Sequence, residues 1–228
     1  MTEYRTTMNE SSLAGSKTSI IATGWDPGLF SLSRVLFDAI VPQCSTYTFW
    51  GRGLSQGHSE AVRSLPGVKY AAQYTIPSET MLAQVRAAEH PAYDSHTAHE
   101  REVYVVPEPD TDQAKLEHTI ITMPDYFEGY KTIVHFIDED EFLTHHTQKP
   151  HAGSVIRVGE TSRDTRSVTE LNLQLASNPE FTASVMLAYA RACHRLNQES
   201  SYGAKTVFDI PASYLSSRSP EELIKEYL

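Results

Sequence analysis

The stretch TELNLQL, Thr169 to Leu175, constrains the fold more than any other part of the chain. Leu171, Leu173 and Leu175 alternate with Glu170, Asn172 and Gln174, and a period of two is a strand with one buried and one polar face. Such a strand belongs to an antiparallel, half-exposed sheet, because a parallel sheet covered on both sides would be written in continuous apolar residues. SNPEF follows directly, offering Asn178 as an N-cap and Pro179 at the first helical position of a helix that runs to about Asn197. A second start signal, Ser219-Pro220-Glu221-Glu222, caps a last helix.

Upstream, strands and helices alternate. YRTTMNESSLAGSKTSIIATGWDPG reads as a helix end, a glycine stop at Gly15, a short strand Thr18–Ala22 and a tight turn. Leu32, Val35, Leu36, Ala39 and Ile40 share one face of a helix Leu29–Ile40, expected to lie against a core. Strands are expected at Thr46–Trp50, Val68–Thr75, Arg101–Val106, Thr132–Ile137 and Ser154–Val158. Helices are expected up to Leu65, after the cap Ser78 with Met81, Leu82 and Val85 inward, at Thr111–Thr122 and at Glu139–His145. The expected class is α+β: a mixed, largely antiparallel open sheet with helices on one face, flanked at both ends by pieces that fit a different domain.

The 228 residues carry a formal charge of −10, with 29 acidic and 19 basic side chains spread along the chain. That balance argues against nucleic-acid and anionic-membrane partners and for a small charged or zwitterionic ligand. Cys44 and Cys193 are the two cysteines, far apart and without a C-x-x-C, so neither a disulfide framework nor a cysteine metal site is expected. With no apolar run near ~20 residues, the expected setting is the cytoplasm.

Three groups of residues can carry chemistry. TYTFWGRGLSQGHSEAV, Thr46 to Val62, has the form of strand, glycine turn and helix, but Gly51, Gly53 and Gly57 give G-x-G-x-x-x-G, one residue longer than the dinucleotide fingerprint. Glu79, about 20 residues on, falls in a helical first turn rather than at a strand end. The loop exposes Ser55, Gln56 and His58 beside Trp50, which suits a polar ligand with an aliphatic body. DEDEFLTHHTQKPHAG holds four acids and three histidines; Asp138, Glu141 and His145 share a helical face, but acids at a helix start and a histidine at its end suit the helix dipole, and no metal site is assigned. Arg101, Thr75 and Asp26 sit at strand ends, each with an ordinary structural explanation: surface charge, β-branched filler, turn residue. Together they read differently. Arginine forks onto a carboxylate, threonine and histidine complete that cage, and aspartate takes an ammonium.

The runs TGWDPGLFSLSRV, YTFWGRGLSQGHSEAVRSLPGVKYAAQYTIPSE, TMPDYFEGY, PHAGSVIR and SNPEFTASVMLAYARACHRLNQE closely resemble the meso-diaminopimelate D-dehydrogenase family, and the similarity extends over essentially the whole chain. The resemblance implies an NADP-dependent, homodimeric enzyme that oxidises the D-centre of meso-2,6-diaminopimelate to L-2-amino-6-oxopimelate and ammonia. It implies a remnant of the dinucleotide (Rossmann) domain over residues 1–24, a substrate-binding and dimerisation domain over 25–177, and a C-terminal segment over 178–228 that packs on the dinucleotide domain; the Rossmann fingerprint itself is absent from these residues.

By position, the resemblance assigns Thr23, Gly24, Trp25, Asp26 and Pro27 to the cofactor, and Trp25, Asp26, Trp50, Gln56, Gly57, Thr75, Arg101, His151 and Asn178 to the substrate. Thr75, Arg101 and His151 resemble the cage for the distal, L-configured carboxylate, and Asn178 stands beside the reacting end. Asp26 is the candidate catalytic group, as an ammonium-binding or water-orienting carboxylate. Three states stay open: half of a split dehydrogenase with a separate Rossmann polypeptide, a fragment that folds without turnover, or a stand-alone amino-acid-binding module.

Overall fold

The computed structural model describes residues 2–41 and 44–228. In chain order the elements are α1 (Thr2–Ala14), β1 (Thr18–Ile21), α2 (Leu29–Ile40), β2 (Cys44–Trp50), β3 (Gly53–Leu54), α3 (Gln56–Arg63), β4 (Val68–Pro77), α4 (Glu79–Arg86), α5 (Ser95–Ala98) and β5 (His99–Pro107). They continue with α6 (Gln113–Ile121), β6 (Lys131–Phe136), α7 (Glu139–His145), β7 (His151–Ser162), β8 (Thr165–Leu175), α8 (Asn178–Gln198), β9 (Gly203–Thr206), α9 (Ala212–Leu215) and α10 (Pro220–Tyr227). The chain divides into two compact units, residues 37–178 and residues 1–36 with 179–228.

The larger unit contains two sheets, where the sequence leads one to expect a single one. The first has the order β2-β7-β8, all antiparallel; the second has the order β3-β4-β5-β6, with the β5–β6 pair parallel. Sheet membership depends on pairings between distant strands, which local periodicity does not report. β8 shows the expected alternation, with Glu170, Asn172 and Gln174 exposed, Leu171 and Leu173 half-buried and Leu175 buried. Ser78 caps α4 by accepting the Met81 N–H, and Leu82 and Val85 pack with Tyr47, Phe49, Ile156 and Val158 of the first sheet.

The second sheet positions the site. Along one face of the β4–β5 pair, the facing couples are Ala71 with Val105, Gln73 with Val103, Thr75 with Arg101 and Pro77 with His99. The aliphatic end of this row is sealed by Val62 of α3, Leu116 and Ile120 of α6, and Phe127. Each fully buried side chain of that kind contributes roughly 1.5–3 kcal/mol. Past Val103 the row turns polar while staying buried: Thr75 is 4% exposed and Arg101 8%. The apolar layer therefore ends where the candidate residues begin.

In the smaller unit β1 and β9 pair in parallel, and α8 buries Val185, Tyr189, Ala192 and Leu196 against Val207, Ile210 and Ile20. The capping box at Ser219 is formed as expected, with Glu222 returning to the Ser219 N–H. Asn178 is the first helical residue of α8 rather than the residue before it.

The expectation for α2 is also overturned. α2 has the expected bounds, but its apolar face is not laid on a core: Val35 is 50% exposed, Leu36 54% and Ile40 61%, and Phe30 is the helix's fully buried residue. The amphipathic pattern records a face left exposed among the described residues.

Candidate functional site

Pairing across the second sheet sets Gly53 opposite Thr75, Thr75 opposite Arg101, and Arg101 opposite Thr132, one row over four strands. The Arg101 guanidinium donates from Nη1 to Thr75 Oγ1, and its carbon stands 4.1 Å from the Tyr130 ring centroid. Its Nε is buried without a hydrogen-bond partner among the described residues. Arg101 pairs with no carboxylate among the described residues. Its reading as a surface charge therefore does not hold. Burial pulls the Arg101 pKa down from its ordinary value, and Tyr130 opposes that pull. An isolated buried cation costs several kcal/mol, and here the Thr75 hydroxyl and the Tyr130 ring offset part of that cost.

The glycine loop is built to bring this row close to two other candidates. Gly51 has φ +104°, and a Cβ there would lie 2.0 Å from the Thr75 carbonyl oxygen. At Gly53 an added Cβ would lie 2.4 Å from His151 Cα. Leu54 N–H bonds to the Pro150 carbonyl, and Asn178 N–H to the Lys149 carbonyl, so the segment leading to His151 is fastened to both the loop and Asn178 within the larger unit. His151 is 8% exposed, its Nδ1 engages the Ala152 backbone, and burial lowers its pKa.

Trp50 is held through its backbone, whose N–H donates to His99 Nε2 at 2.9 Å while His99 Nδ1 donates to the Ser95 carbonyl at 2.9 Å. This pair of bonds requires a neutral imidazole, in line with a His99 pKa lowered by burial and by Arg101. The Trp50 and His99 rings lie 5.3 Å apart.

Gln56 and Gly57 open α3, where Ser55 does not cap the helix: its hydroxyl lies 2.8 Å from His58 Nδ1 instead. A Cβ at Gly57 would meet no atom within 4 Å. Gln56 and Gly57 border a cavity with Glu60, Phe142, His146 and Lys149, and Thr75, Arg101 and His151 do not line it. His58 itself packs edge-on against Tyr126 and Phe127, and burial and the Arg101 charge lower its pKa from 6.5 to about 4.

A pH dependence follows. Between about 6.5 and about 4 the unfolded chain takes a proton at His58 that the folded chain refuses, so stability is lost as pH falls through that window. His99 and His151 add the same sign. The melting temperature is expected to fall between about pH 7 and about pH 5, and to fall less in His58→Asn. An equal fall in both proteins would contradict this.

In the smaller unit the turn after β1 carries Thr23, Gly24, Trp25, Asp26 and Pro27. Gly28 closes it at φ +146°, where an added Cβ would lie 1.6 Å from the Gly24 carbonyl oxygen. Trp25 is 8% exposed and meets Phe30 edge-on at 5.0 Å. Both Asp26 oxygens accept from the Arg34 guanidinium at 2.9 Å, a forked pair. Sequence reasoning did not single out Arg34, His99 or Tyr130 as members of these sites, whereas His58 was expected as an exposed polar group of the glycine loop and is instead packed against Tyr126 and Phe127. Asp138, in the acidic cluster, caps α7 by accepting the Glu141 N–H. Among the described residues no three His, Cys, Asp or Glu side chains are grouped to hold a metal ion, and no helix is long and apolar enough to cross a membrane.

The open sheets with helices beside them define a mixed α/β fold, whose second sheet buries Arg101 against Thr75. Comparison with known proteins makes this particular. Residues 24–177 match the diaminopimelic acid dehydrogenase C-terminal domain, and the chain belongs to the diaminopimelate dehydrogenase family. It corresponds to the C-terminal region of meso-diaminopimelate D-dehydrogenases. It is 54% identical over 212 residues to the meso-diaminopimelate D-dehydrogenase of Lysinibacillus sphaericus, covering 93% of this chain and 65% of the relative. The chain thus spans about two thirds of the length of that curated relative.

Among solved structures, C. glutamicum DAP dehydrogenase in complex with DAP superposes with a TM-score of 0.95 at 42% identity, over 100% of this chain and 71% of that one. An engineered D-amino acid dehydrogenase bound to NADP+ superposes with a TM-score of 0.89 at 40% identity, again over 100% and 71%.

Proposed function

We propose that this chain is the substrate-binding portion of an NADP-dependent dehydrogenase that oxidatively deaminates the D-centre of meso-2,6-diaminopimelate to L-2-amino-6-oxopimelate and ammonia, in diaminopimelate and lysine biosynthesis. The observation that carries the reading is Arg101: a buried guanidinium without a carboxylate partner among the described residues, bonded to Thr75 in a family whose solved relative holds DAP. A guanidinium only donates, so Thr75 Oγ1 accepts from it and keeps its own proton for a ligand oxygen. Arg101, Thr75 and His151 hold the distal carboxylate. The Gln56-Gly57 backbone offers N–H groups to the ligand, Trp50 walls its methylene chain, and Asn178 serves the reacting end.

Trp25 and Asp26 also serve the reacting D-configured end. Asp26 is an orienting carboxylate: Arg34 fixes its plane, and each of its oxygens can accept a further bond from an ammonium or a water. The turn of residues 23–27 follows the carboxyl end of a strand in a parallel pair, the position at which open α/β sheets receive dinucleotides, and it fits the nicotinamide end of NADP. When bound, the dinucleotide supplies the hydride acceptor. The chain's own part is orientation: two amino-acid ends must be told apart so that the correct Cα–H faces the ring.

In this reading β1, α8 and β9 belong with a dinucleotide domain, residues 25–177 form the substrate-binding and dimerisation domain, and the working protein is a cytoplasmic homodimer. The exposed stripe Val35, Leu36 and Ile40 supports self-association.

No G-x-G-x-x-G segment occurs in the 228 residues. The chain by itself is therefore expected to bind meso-diaminopimelate, measured by calorimetry, and to show no NADP+-dependent oxidation of it until a polypeptide carrying the dinucleotide loop is added. Absence of binding heat would refute the assignment, and turnover by the chain alone would refute the requirement for a dinucleotide half.

A further inference from the structure

The segment TMPDYFEGY ends in Tyr130, immediately before β6. Its anchor is Phe127, which is fully buried in the α6 core and accepts the Tyr130 N–H at its carbonyl. Gly129 sets the direction of the next residue: its φ is +85°, and a Cβ there would lie 3.0 Å from His96 Cδ2, so the turn accepts no side chain at this point. Tyr130 is thereby delivered two residues before Thr132, the register partner of Arg101, and its ring centroid lies 4.1 Å from the guanidinium carbon. The same ring lies against His96, centroid to centroid 4.4 Å.

We infer that Tyr130 is a positioning residue for carboxylate recognition: its π face holds the Arg101 guanidinium in place of a counter-ion. This rests on the proposed function, and goes beyond it by identifying what keeps the arginine both buried and unneutralised. A carboxylate at this position would neutralise Arg101 and compete with an incoming carboxylate ligand. A neutral π face attracts the cation and leaves its full charge and its N–H fork available. Thr75 supports the other side of the fork through Nη1. Selectivity for a ligand with an anionic far end then depends on an aromatic ring that never touches the reacting carbon.

The test is a set of calorimetric titrations on the 228-residue chain with two ligands, meso-diaminopimelate and D-lysine, the latter keeping the D-centre but lacking the distal carboxylate. Tyr130→Leu is expected to weaken meso-diaminopimelate binding about tenfold and leave D-lysine binding unchanged, while Tyr130→Phe, which keeps the ring, stays within about threefold of the parent. In an Arg101→Ala background Tyr130→Leu is expected to have no further effect. The inference is overturned if Tyr130→Leu binds as the parent does, if Tyr130→Phe is as weak as Tyr130→Leu, or if the loss persists without Arg101. Failure of the underlying reading looks different: Arg101→Ala itself then leaves meso-diaminopimelate affinity untouched.

Discussion

Arg101→Ala is expected to weaken meso-diaminopimelate binding by ~2 kcal/mol or more, about thirtyfold, as measured by calorimetry on the folded chain. The expectation follows from burial. Arg101 is 8% exposed, it is unpaired with any carboxylate among the described residues, and its neighbours Thr75 and Tyr130 are neutral. A guanidinium in that setting has lost most of its water and recovers the cost when a carboxylate arrives, with two N–H donors in fork geometry. Arg101→Lys should restore little, because an ammonium is a point charge without the fork and cannot lie flat on Tyr130 in the same way. The melting temperature of Arg101→Ala is expected to hold or rise, since an uncompensated buried charge has been removed. A variant that loses stability and keeps affinity would assign Arg101 to structure rather than to the ligand.

The second large effect concerns the glycine loop. Gly53→Ala places a methyl group 2.4 Å from the Cα of His151, a backbone atom that cannot rotate away. The two segments must separate, carrying the β3–β4 pairing with them, and a loss of ~3 kcal/mol in unfolding free energy is expected from urea denaturation. Gly51→Ala should be comparably damaging, since it combines φ +104° with an approach to the Thr75 carbonyl. Gly57→Ala is the control, because its methyl group would enter open space at the start of α3. It should leave the melt within about 1 kcal/mol of the parent. Equal tolerance at Gly53 and Gly57 would show that the loop does not need to lie close to His151.

This contrast shows how much was legible in the sequence. Local periodicity and capping were enough for α7, whose bounds Glu139–His145 match expectation, for the alternation in β8, and for the caps at Ser78 and Ser219. Each of those is decided by residues within one turn or one strand. β9 was not legible: Gly203–Thr206 has four residues, no apolar alternation, and a partner, β1, nearly the whole chain away. The same limit applies to sheet membership, where one sheet was expected and the larger unit has two.

The site divides in the same way. Arg101 and Thr75 were named from residue type and from the resemblance, but that they face each other is a matter of register. Arg34, His99 and Tyr130 act across a helix, a strand and a loop, and nothing in their own neighbourhoods marks them. The helix α2 misled for a physical reason: an apolar stripe predicts burial, and it cannot say whether the covering surface lies in the same chain.

The central claim is that the Arg101–Thr75 pair is the seat of a ligand carboxylate. It is tested most directly by a crystal structure of the chain with meso-diaminopimelate bound. The account predicts one carboxylate at about 2.7–3.1 Å from the Arg101 guanidinium and from Thr75 Oγ1, with the Tyr130 ring still against the guanidinium. A ligand seated elsewhere, with Arg101 turned to a carboxylate of the protein itself, would contradict it.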